Sequence, residues 1–155
     1  MSTSARATSA NHAGIGFREF VTLVAALMAV NALGIDSMLP ALPEIGNAIG
    51  VTHENDRQWI IAAYMFGFGG AQLVYGPLAD RFGRKPILLA SMAMFAVMSV
   101  IAGFADSFPT MIAARTAQGA AAASSRVLSI SIVRDCYSGR QMARVMSLTF
   151  IVFLA

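Results

Sequence analysis

The chain has 155 residues, of which 57% are hydrophobic and only 12% are charged, and its formal net charge is +3. A soluble domain usually carries about a quarter charged residues, and a water-soluble chain of this length could not hide so much apolar surface. Composition therefore indicates a membrane protein. The single Cys136 excludes an internal disulfide framework. We find no Ser/His/Asp set, metal-ligand cluster or phosphate-binding glycine loop, so we expect neither an enzyme nor a bound metal or cofactor.

Five apolar runs predict the architecture, because a bilayer core of about 30 Å needs about 20 apolar residues per helix. The predicted spans are residues 17–39, 59–78, 86–105, 108–133 and 145–155. The last run is about half the required length, which predicts a chain cut inside its fifth helix. The predicted fold class is all-α, a polytopic transmembrane helical bundle of about four and a half spans. Residues 1–16, rich in Ser, Ala and Thr, are expected to form a disordered cytoplasmic tail.

The loop cations predict the orientation of the chain. With a cytoplasmic N-terminus, eight Lys and Arg residues fall on the cytoplasmic side and only Arg57 falls on the other. The eight are Arg6, Arg18, Arg81, Arg84, Lys85, Arg134, Arg140 and Arg144. Because positively charged loops stay in the cytoplasm, this bias predicts a multi-pass membrane protein with a cytoplasmic N-terminus. The basic net charge is thus a topology signal, and it needs no nucleic-acid partner.

A short and strongly charged loop joins the second and third spans. It reads Gly-Pro-Leu-Ala-Asp-Arg-Phe-Gly-Arg-Lys from Gly76 to Lys85. We expect Gly76 to let the second helix approach a neighbour closely, and Gly83 to adopt the positive φ of a tight turn. Asp80 can cap a neighbouring helix or accept hydrogen bonds from an arginine. A purely topogenic basic loop is the alternative, although basic charge alone does not require Asp80 and Gly83 at this spacing.

Three ionisable residues fall inside the predicted spans: Asp36, Arg115 and Arg126. Each costs about 2.5–3.5 kcal/mol on insertion scales, so each needs a reason. Asp36 lies late in the first span. It is either an interfacial carboxylate that reaches water or a neighbouring helix, or a desolvated carboxyl in a polar central cavity. In the second case it could carry a proton or pair with a cationic substrate.

The fourth span carries a polar stripe. Arg115 and Arg126 are eleven residues apart and share nearly the same helix face, with Gln118 close to it. We do not expect this stripe to face lipid. The second span contributes Tyr64 and Gln72 as further cavity candidates.

Small residues on two spans predict close helix packing. They are Gly67, Gly69 and Gly70 on the second span and residues 119–125 on the fourth. Small residues let helix backbones approach closely in a membrane, so packing is favoured over a substrate role, for Gly119 in particular.

Taken together, these motifs resemble the N-terminal part of a major facilitator superfamily transporter, in the Bcr/CflA (bicyclomycin-resistance) branch of drug:proton antiporters. The loop from Gly76 to Lys85 is similar to the superfamily's motif A, and Arg115, Gln118 and Gly119 resemble its motif B. The stretch that starts at Asp36, Asp-Ser-Met-Leu-Pro-Ala-Leu-Pro, is similar to the branch's Asp-x-Tyr-x-Pro-x-x-Pro. Residues 132–137, Ile-Val-Arg-Asp-Cys-Tyr, resemble the turn that ends its fourth helix.

The resemblance implies a secondary active transporter of the bacterial plasma (inner) membrane, which exports drug-like molecules in exchange for protons by alternating access. It implies a role in proton coupling for Arg115, which we extend to Asp36. It also implies an ion pair between Arg84 and Asp135, and a contact from Asp80 to the missing C-terminal half of the same polypeptide. These contacts would form a cytoplasmic latch, whose residues are Gly76, Asp80, Arg81, Gly83, Arg84 and Asp135.

Arg126 departs from the better-known members of the superfamily, in which a small residue is common. The two arginines of the fourth span leave open a metabolite or organic-anion carrier of the same superfamily. A non-transporting membrane scaffold or truncated product is the alternative of another class. In every case the lipid bilayer is a partner, and for a carrier the partners also include a small-molecule substrate and protons.

Overall fold

The computed structural model describes residues 17–51 and 53–154. The described chain forms six helices and no strand: α1 (Phe17–Asp36), α2 (Leu42–Ala48), α3 (Glu54–Phe82), α4 (Arg84–Gly103), α5 (Phe108–Cys136) and α6 (Gly139–Leu154). The predicted all-α class is confirmed. The predicted tail over residues 1–16 lies outside the described residues, as does Ala155.

Helix boundaries differ from the predicted spans mainly at polar ends. α3 and α5 continue past the apolar runs through charged residues such as Arg57, Asp80 and Asp135. A helix satisfies its own backbone hydrogen bonds, so it can continue beyond the hydrocarbon into the headgroup region. α1 ends at Asp36, and α2 follows as a short helix that the sequence analysis did not predict. Its proline lies in the first turn, where a missing N–H costs little.

α5 is the central helix of the bundle, since it contacts α1, α3, α4 and α6. Most of its buried side chains are small. They include Ala114, Gly119, Ala121, Ala122, Ala123, Ser124, Ser125 and Ser129. Small side chains let the neighbouring helices approach α5 closely. In a membrane the lipid is as apolar as the side chains, so helices associate through such close packing and not through the hydrophobic effect.

Two glycines bring the backbones of α3 and α5 into contact. A Cβ on Gly119 would lie 2.0 Å from the carbonyl oxygen of Tyr64, and a Cβ on Gly67 would lie 2.0 Å from that of Thr116. The close approach predicted for Gly67 and Gly119 is therefore present. Gly69, Gly70 and Gly76 make no such contact with the described residues, because a Cβ on any of them would meet no atom within 4 Å, and for them close packing stays a prediction.

Apolar clusters follow one another along the bundle. The first, at the end that holds α2, contains Met38, Ile60, Ala102, Met111 and Ala114. The middle cluster contains Tyr64, Phe68, Tyr75, Ala122 and Ala123. The third, near the start of α1 and the end of α5, contains Val21, Val24, Val133 and Val145. We refer to the two ends of the bundle as the α2 end and the Gly83 end, because Gly83 joins α3 to α4 at the other extreme.

The α2 end is closed by a contact between α2 and the start of α3. The Arg57 Nη2 donates to the Asn47 Oδ1 at 2.8 Å, and the Arg57 side chain lies against Gly46, where a Cβ would be 2.6 Å from its Nε. Gly46 is buried beneath it. The short helix is therefore held onto the bundle by an arginine.

Only two of the described helices are long and apolar enough to cross a membrane by length and composition: Arg18–Asp36 and Arg84–Gly103. α3 and α5 have sufficient length but carry Gly, Ser, Gln and charged residues. Their reduced apolar character agrees with their position, since α5 is enclosed by four other helices.

The glycine contact gives a direct test. Gly119→Ala should destabilise the protein by about 1–3 kcal/mol, because its methyl group would overlap the Tyr64 carbonyl. Gly69→Ala is the matched control, since a Cβ there meets open space and Ala favours a helix over Gly by about 1 kcal/mol. The measurement is the thermal midpoint of the detergent-solubilised full-length protein. Equal midpoints for Gly119→Ala and Gly69→Ala would contradict the contact.

Candidate functional site

A cavity of about 400 Å³ lies between α1, α4 and α5. We call it the Arg115 cavity. Its lining residues are Leu33, Gly34, Ser37, Phe95, Ser99, Arg115 and Gln118. α1 and α4 supply mainly apolar and hydroxyl side chains, whereas α5 supplies the cation and the amide. The cavity thus combines apolar walls with a few polar groups, as small-molecule sites usually do.

Arg115 is held at this cavity by side chains of α5 and α4. Its Nη1 donates to the Gln118 Oε1 at 3.0 Å, and the Gln118 Nε2 donates to the Ser99 Oγ at 2.7 Å. The Ser99 Oγ in turn donates to the carbonyl oxygen of Phe95 at 2.7 Å. Gln118 is buried, while Arg115 is half-buried and its Nε has no hydrogen-bond partner among the described residues. Gln118 therefore holds the guanidinium through Nη1, while the Nε–H group has no acceptor among the described residues.

Tyr64 lies next to this cavity on α3. It is buried, it interacts electrostatically with Arg115, and its hydroxyl would be 2.9 Å from a Cβ on Gly34. Gly34 is also a lining residue of the Arg115 cavity. The predicted candidates Arg115, Gln118 and Tyr64 therefore lie together, and a glycine of α1 makes room for the Tyr64 ring.

Three other predicted residues do not line the Arg115 cavity. Asp36 ends α1 with an exposed side chain, and among the described residues it has no hydrogen-bond or ion-pair partner. Gln72 is half-buried and lies about one helical turn beyond Phe68 on α3. Arg126 is exposed, about 16 Å along α5 from Arg115 at about 1.5 Å per residue. In the described part of the chain Asp36 is thus exposed to water and Arg126 lies away from the Arg115 cavity, so the roles expected for these two residues stay predictions.

The reason is that helical periodicity gives a residue's face but not what covers it. Arg115 and Arg126 do share a face, yet α1 and α4 cover Arg115 and its cavity, and nothing described here covers Arg126. The sequence analysis also missed Ser99 and Ser37. A serine in an otherwise apolar span was the only available signal for Ser99, and many such serines simply bond to their own helix.

At the Gly83 end, α3 and α4 are joined by one residue with positive φ. Gly83 has φ of 88°, so the positive φ predicted for it is confirmed. Arg84 follows at once, forms an ion pair with Asp135 and donates to the carbonyl oxygen of Ser131 at 2.6 Å. The start of α4 is thereby tied to the end of α5. The ion pair is the one that the resemblance implied.

A second polar cavity of about 410 Å³ surrounds this ion pair. Its lining residues are Gly76, Ala79, Asp80, Arg84, Ser131, Arg134 and Asp135. Asp80 is exposed and has no bonded partner in the part of the chain that the structure describes. Arg81 is also exposed, and its guanidinium carbon lies 5.4 Å from the centre of the Phe82 ring. Asp80 is thus available to a partner outside the described residues, and the latch role of this region stays a prediction.

The fold and the two polar regions define a helical membrane protein with a partly buried cation between its helices. The chain belongs to the Major Facilitator Superfamily, whose family profile matches residues 24–155. The superfamily resemblance stated from the sequence is therefore confirmed, and the chain belongs to a family of transporters and not of enzymes.

Several relatives have names that refer to drug resistance. A chloramphenicol resistance protein of Pseudomonas aeruginosa is 35% identical over 114 residues, which are 74% of this chain and 27% of that protein. A bicyclomycin resistance protein homolog of Haemophilus influenzae is 32% identical over 135 residues, 87% of this chain and 34% of the relative. Multidrug resistance protein D of Escherichia coli is 31% identical over 122 residues, which are 79% of this chain and 31% of that protein. The matched region thus spans about a third of each of these relatives.

The Arg84–Asp135 ion pair can be tested by charge reversal. Arg84→Glu places a second carboxylate beside Asp135, and Asp135→Arg places a second guanidinium beside Arg84, so each should lower the thermal midpoint of the full-length protein. The double variant should recover most of the loss. Both side chains are partly exposed, at 28% and 56%, so the effect should be small, at most about fivefold in the folding equilibrium. Lys85→Glu, an exposed neighbour, is the control. Losses that simply add in the double variant would exclude a pairwise contact.

Proposed function

We propose that this chain forms the N-terminal part of a secondary active transporter, which exports drug-like small molecules in exchange for protons by alternating access. The observation that carries the proposal is Arg115, a half-buried cation held by Gln118 at a cavity of about 400 Å³. An ionisable residue in a membrane-spanning helix is costly, so it indicates an ion or substrate pathway. The relatives named for resistance to chloramphenicol, bicyclomycin and multiple drugs support export as the direction.

The size and lining of the Arg115 cavity support a small, largely apolar substrate. Its volume lies near the lower end of the roughly 300–1,000 Å³ range of small-molecule sites. Among the described residues it is lined by α1, the turn after α1, α4 and α5. We infer that the C-terminal half of the same polypeptide supplies the opposite wall, because the relatives are about three times as long as the matched region. Two bundles that rock about this site would expose it to each side of the membrane in turn.

For proton coupling we propose Asp36 together with Arg115. Asp36 lies one helical turn after Leu33, which lines the Arg115 cavity. Its carboxylate is exposed in the described bundle and free of partners there. Contact with the second bundle in one state of the cycle would remove it from water and favour its protonated form, and contact with water in the other state would release the proton. Tyr64, Gln72 and Arg126 are the further residues that we propose to face the translocation pathway.

For the Gly83 end we propose a conformational latch on the cytoplasmic side. The Arg84–Asp135 pair would fix the loop, and Asp80 would reach a helix of the second bundle when that side is closed. A carrier must populate both its outward-open and inward-open states, so a contact made in only one of them sets their ratio. Gly76 and Arg81 belong to the same loop region and would contribute to its shape and charge.

An organic-anion or metabolite carrier is the second candidate. It is favoured by the unused Nε of Arg115, which is buried and has no partner among the described residues. An anionic group in the Arg115 cavity could accept a hydrogen bond from that nitrogen. Competition distinguishes the two candidates, because anions should inhibit such a carrier and leave an exporter of neutral drugs unaffected.

The orientation proposed from the loop cations can be measured by cysteine labelling. In a Cys136→Ser background, Asp56→Cys should react with a membrane-impermeant thiol reagent added to whole cells. Lys85→Cys and Arg140→Cys should react only after the cells are opened, because the basic loops stay in the cytoplasm. All three positions are exposed. Labelling of positions 56 and 140 from the same side would disprove both the span count and the orientation.

Asp36 provides the test of proton coupling. In everted membrane vesicles, Asp36→Asn should abolish chloramphenicol transport driven by an imposed pH gradient, since Asn keeps the size of the side chain but cannot titrate. Asp36→Glu should retain part of the activity with a shifted pH optimum. Asp106→Asn, an exposed acid between α4 and α5, is the control and should transport normally. If Asp36→Asn still drives uphill transport, the coupling group lies elsewhere in the protein.

A further inference from the structure

Ser99 is the third member of the hydrogen-bond chain that begins at Arg115. The guanidinium only donates, so Gln118 must present its amide oxygen to Arg115 and its NH₂ group to Ser99. The Ser99 hydroxyl proton is directed to the Phe95 carbonyl, which leaves its lone pairs for Gln118. The direction of every bond is thereby set, from the cation on α5 to the backbone of α4.

We propose that Ser99 is a positioning residue for Arg115, acting through Gln118. By accepting from the Gln118 NH₂ group, it prevents the amide from rotating and keeps its oxygen toward the guanidinium. The consequence is that Arg115 stays at the cavity wall with its Nε unused by the described residues. The effect on transport rests on the proposed function, whereas the effect on the position of Arg115 does not.

Ser91 provides a natural comparison on the same helix. It is also on α4, and its Oγ donates to the carbonyl oxygen of Ile87 at 2.8 Å, four residues back, as Ser99 does to Phe95. Both serines therefore make the same bond within α4. In the described part of the chain, only Ser99 also accepts a hydrogen bond from α5. A difference between the two substitutions would report the link to Gln118 and not the loss of a helical serine.

The first measurement is the export of radiolabelled chloramphenicol by the full-length protein, normalised to its amount in the membrane. Ser99→Ala should lower export roughly two- to tenfold, as expected for one lost hydrogen bond to a functional group. Ser91→Ala should leave it unchanged, and Ser99→Thr should restore it because the hydroxyl is kept. The double variant Ser99→Ala/Gln118→Ala should be no worse than Gln118→Ala alone, since both act on the same link.

The second measurement does not depend on transport. The rate at which phenylglyoxal modifies Arg115, followed by mass spectrometry, should rise roughly two- to tenfold in Ser99→Ala and in Gln118→Ala, because the guanidinium is less restrained. It should not change in Ser91→Ala. Failure of the wild type to export would contradict the proposed function, while the modification rates would still decide the role of Ser99. Equal modification rates of Arg115 in the wild type and in Ser99→Ala would overturn the proposal. So would a double variant whose loss of export equals the product of the losses of Ser99→Ala and Gln118→Ala.

Discussion

The contact between the backbones of α3 and α5 is the constraint on which the rest of the bundle depends. At Gly67 and Gly119 there is no room for even a methyl group, so the two helices can pack at this depth in only one register. Gly119 directly follows Gln118 and lies one turn beyond Arg115, while its partner carbonyl belongs to Tyr64. The same contact that packs the helices therefore also sets the depth of the polar site. If α5 were shifted by one residue, the Gln118 amide would lose Ser99 and Arg115 would leave the cavity.

Two kinds of polar group are treated differently by this bundle. Near mid-depth, buried polar groups bond within the protein, Gln118 to Ser99 of another helix, and Ser124 and Ser125 to the backbone of their own helix. Those at the Gly83 end are partly exposed and are joined by charge, as Arg84 is to Asp135. Hydrocarbon does not replace a lost hydrogen bond, so internal bonding is favoured at depth, whereas water or headgroups can solvate the ends. Among the described residues of α5, the Arg115 Nε and the Ser129 Oγ are the buried exceptions. The distribution agrees with membership of a membrane transporter family.

The sequence predicted those features that depend on residue type and spacing. The apolar runs indicated the long helices, and a glycine before Arg84 indicated the positive φ of the turn. It could not separate Gly67 from Gly69, because both are glycines of one helix and only the position of α5 distinguishes them. For the same reason it could not tell that Asp36 is exposed or that Ser99 accepts a bond from another helix. α2 was missed because a seven-residue helix with a proline in its first turn gives no apolar run of membrane length.

The polar and small-residue character of α5 has a consequence for how the protein is made. α5 is not among the helices that are apolar enough to cross a membrane by composition, whereas α4, which precedes it, is. Its buried alanines and serines gain more from contact with α3 and α4 than from contact with lipid. Both of those helices leave the ribosome before it does. Since α5 packs mainly against α3 and α4, a defect in α3 should lower the amount of folded protein that accumulates in the membrane.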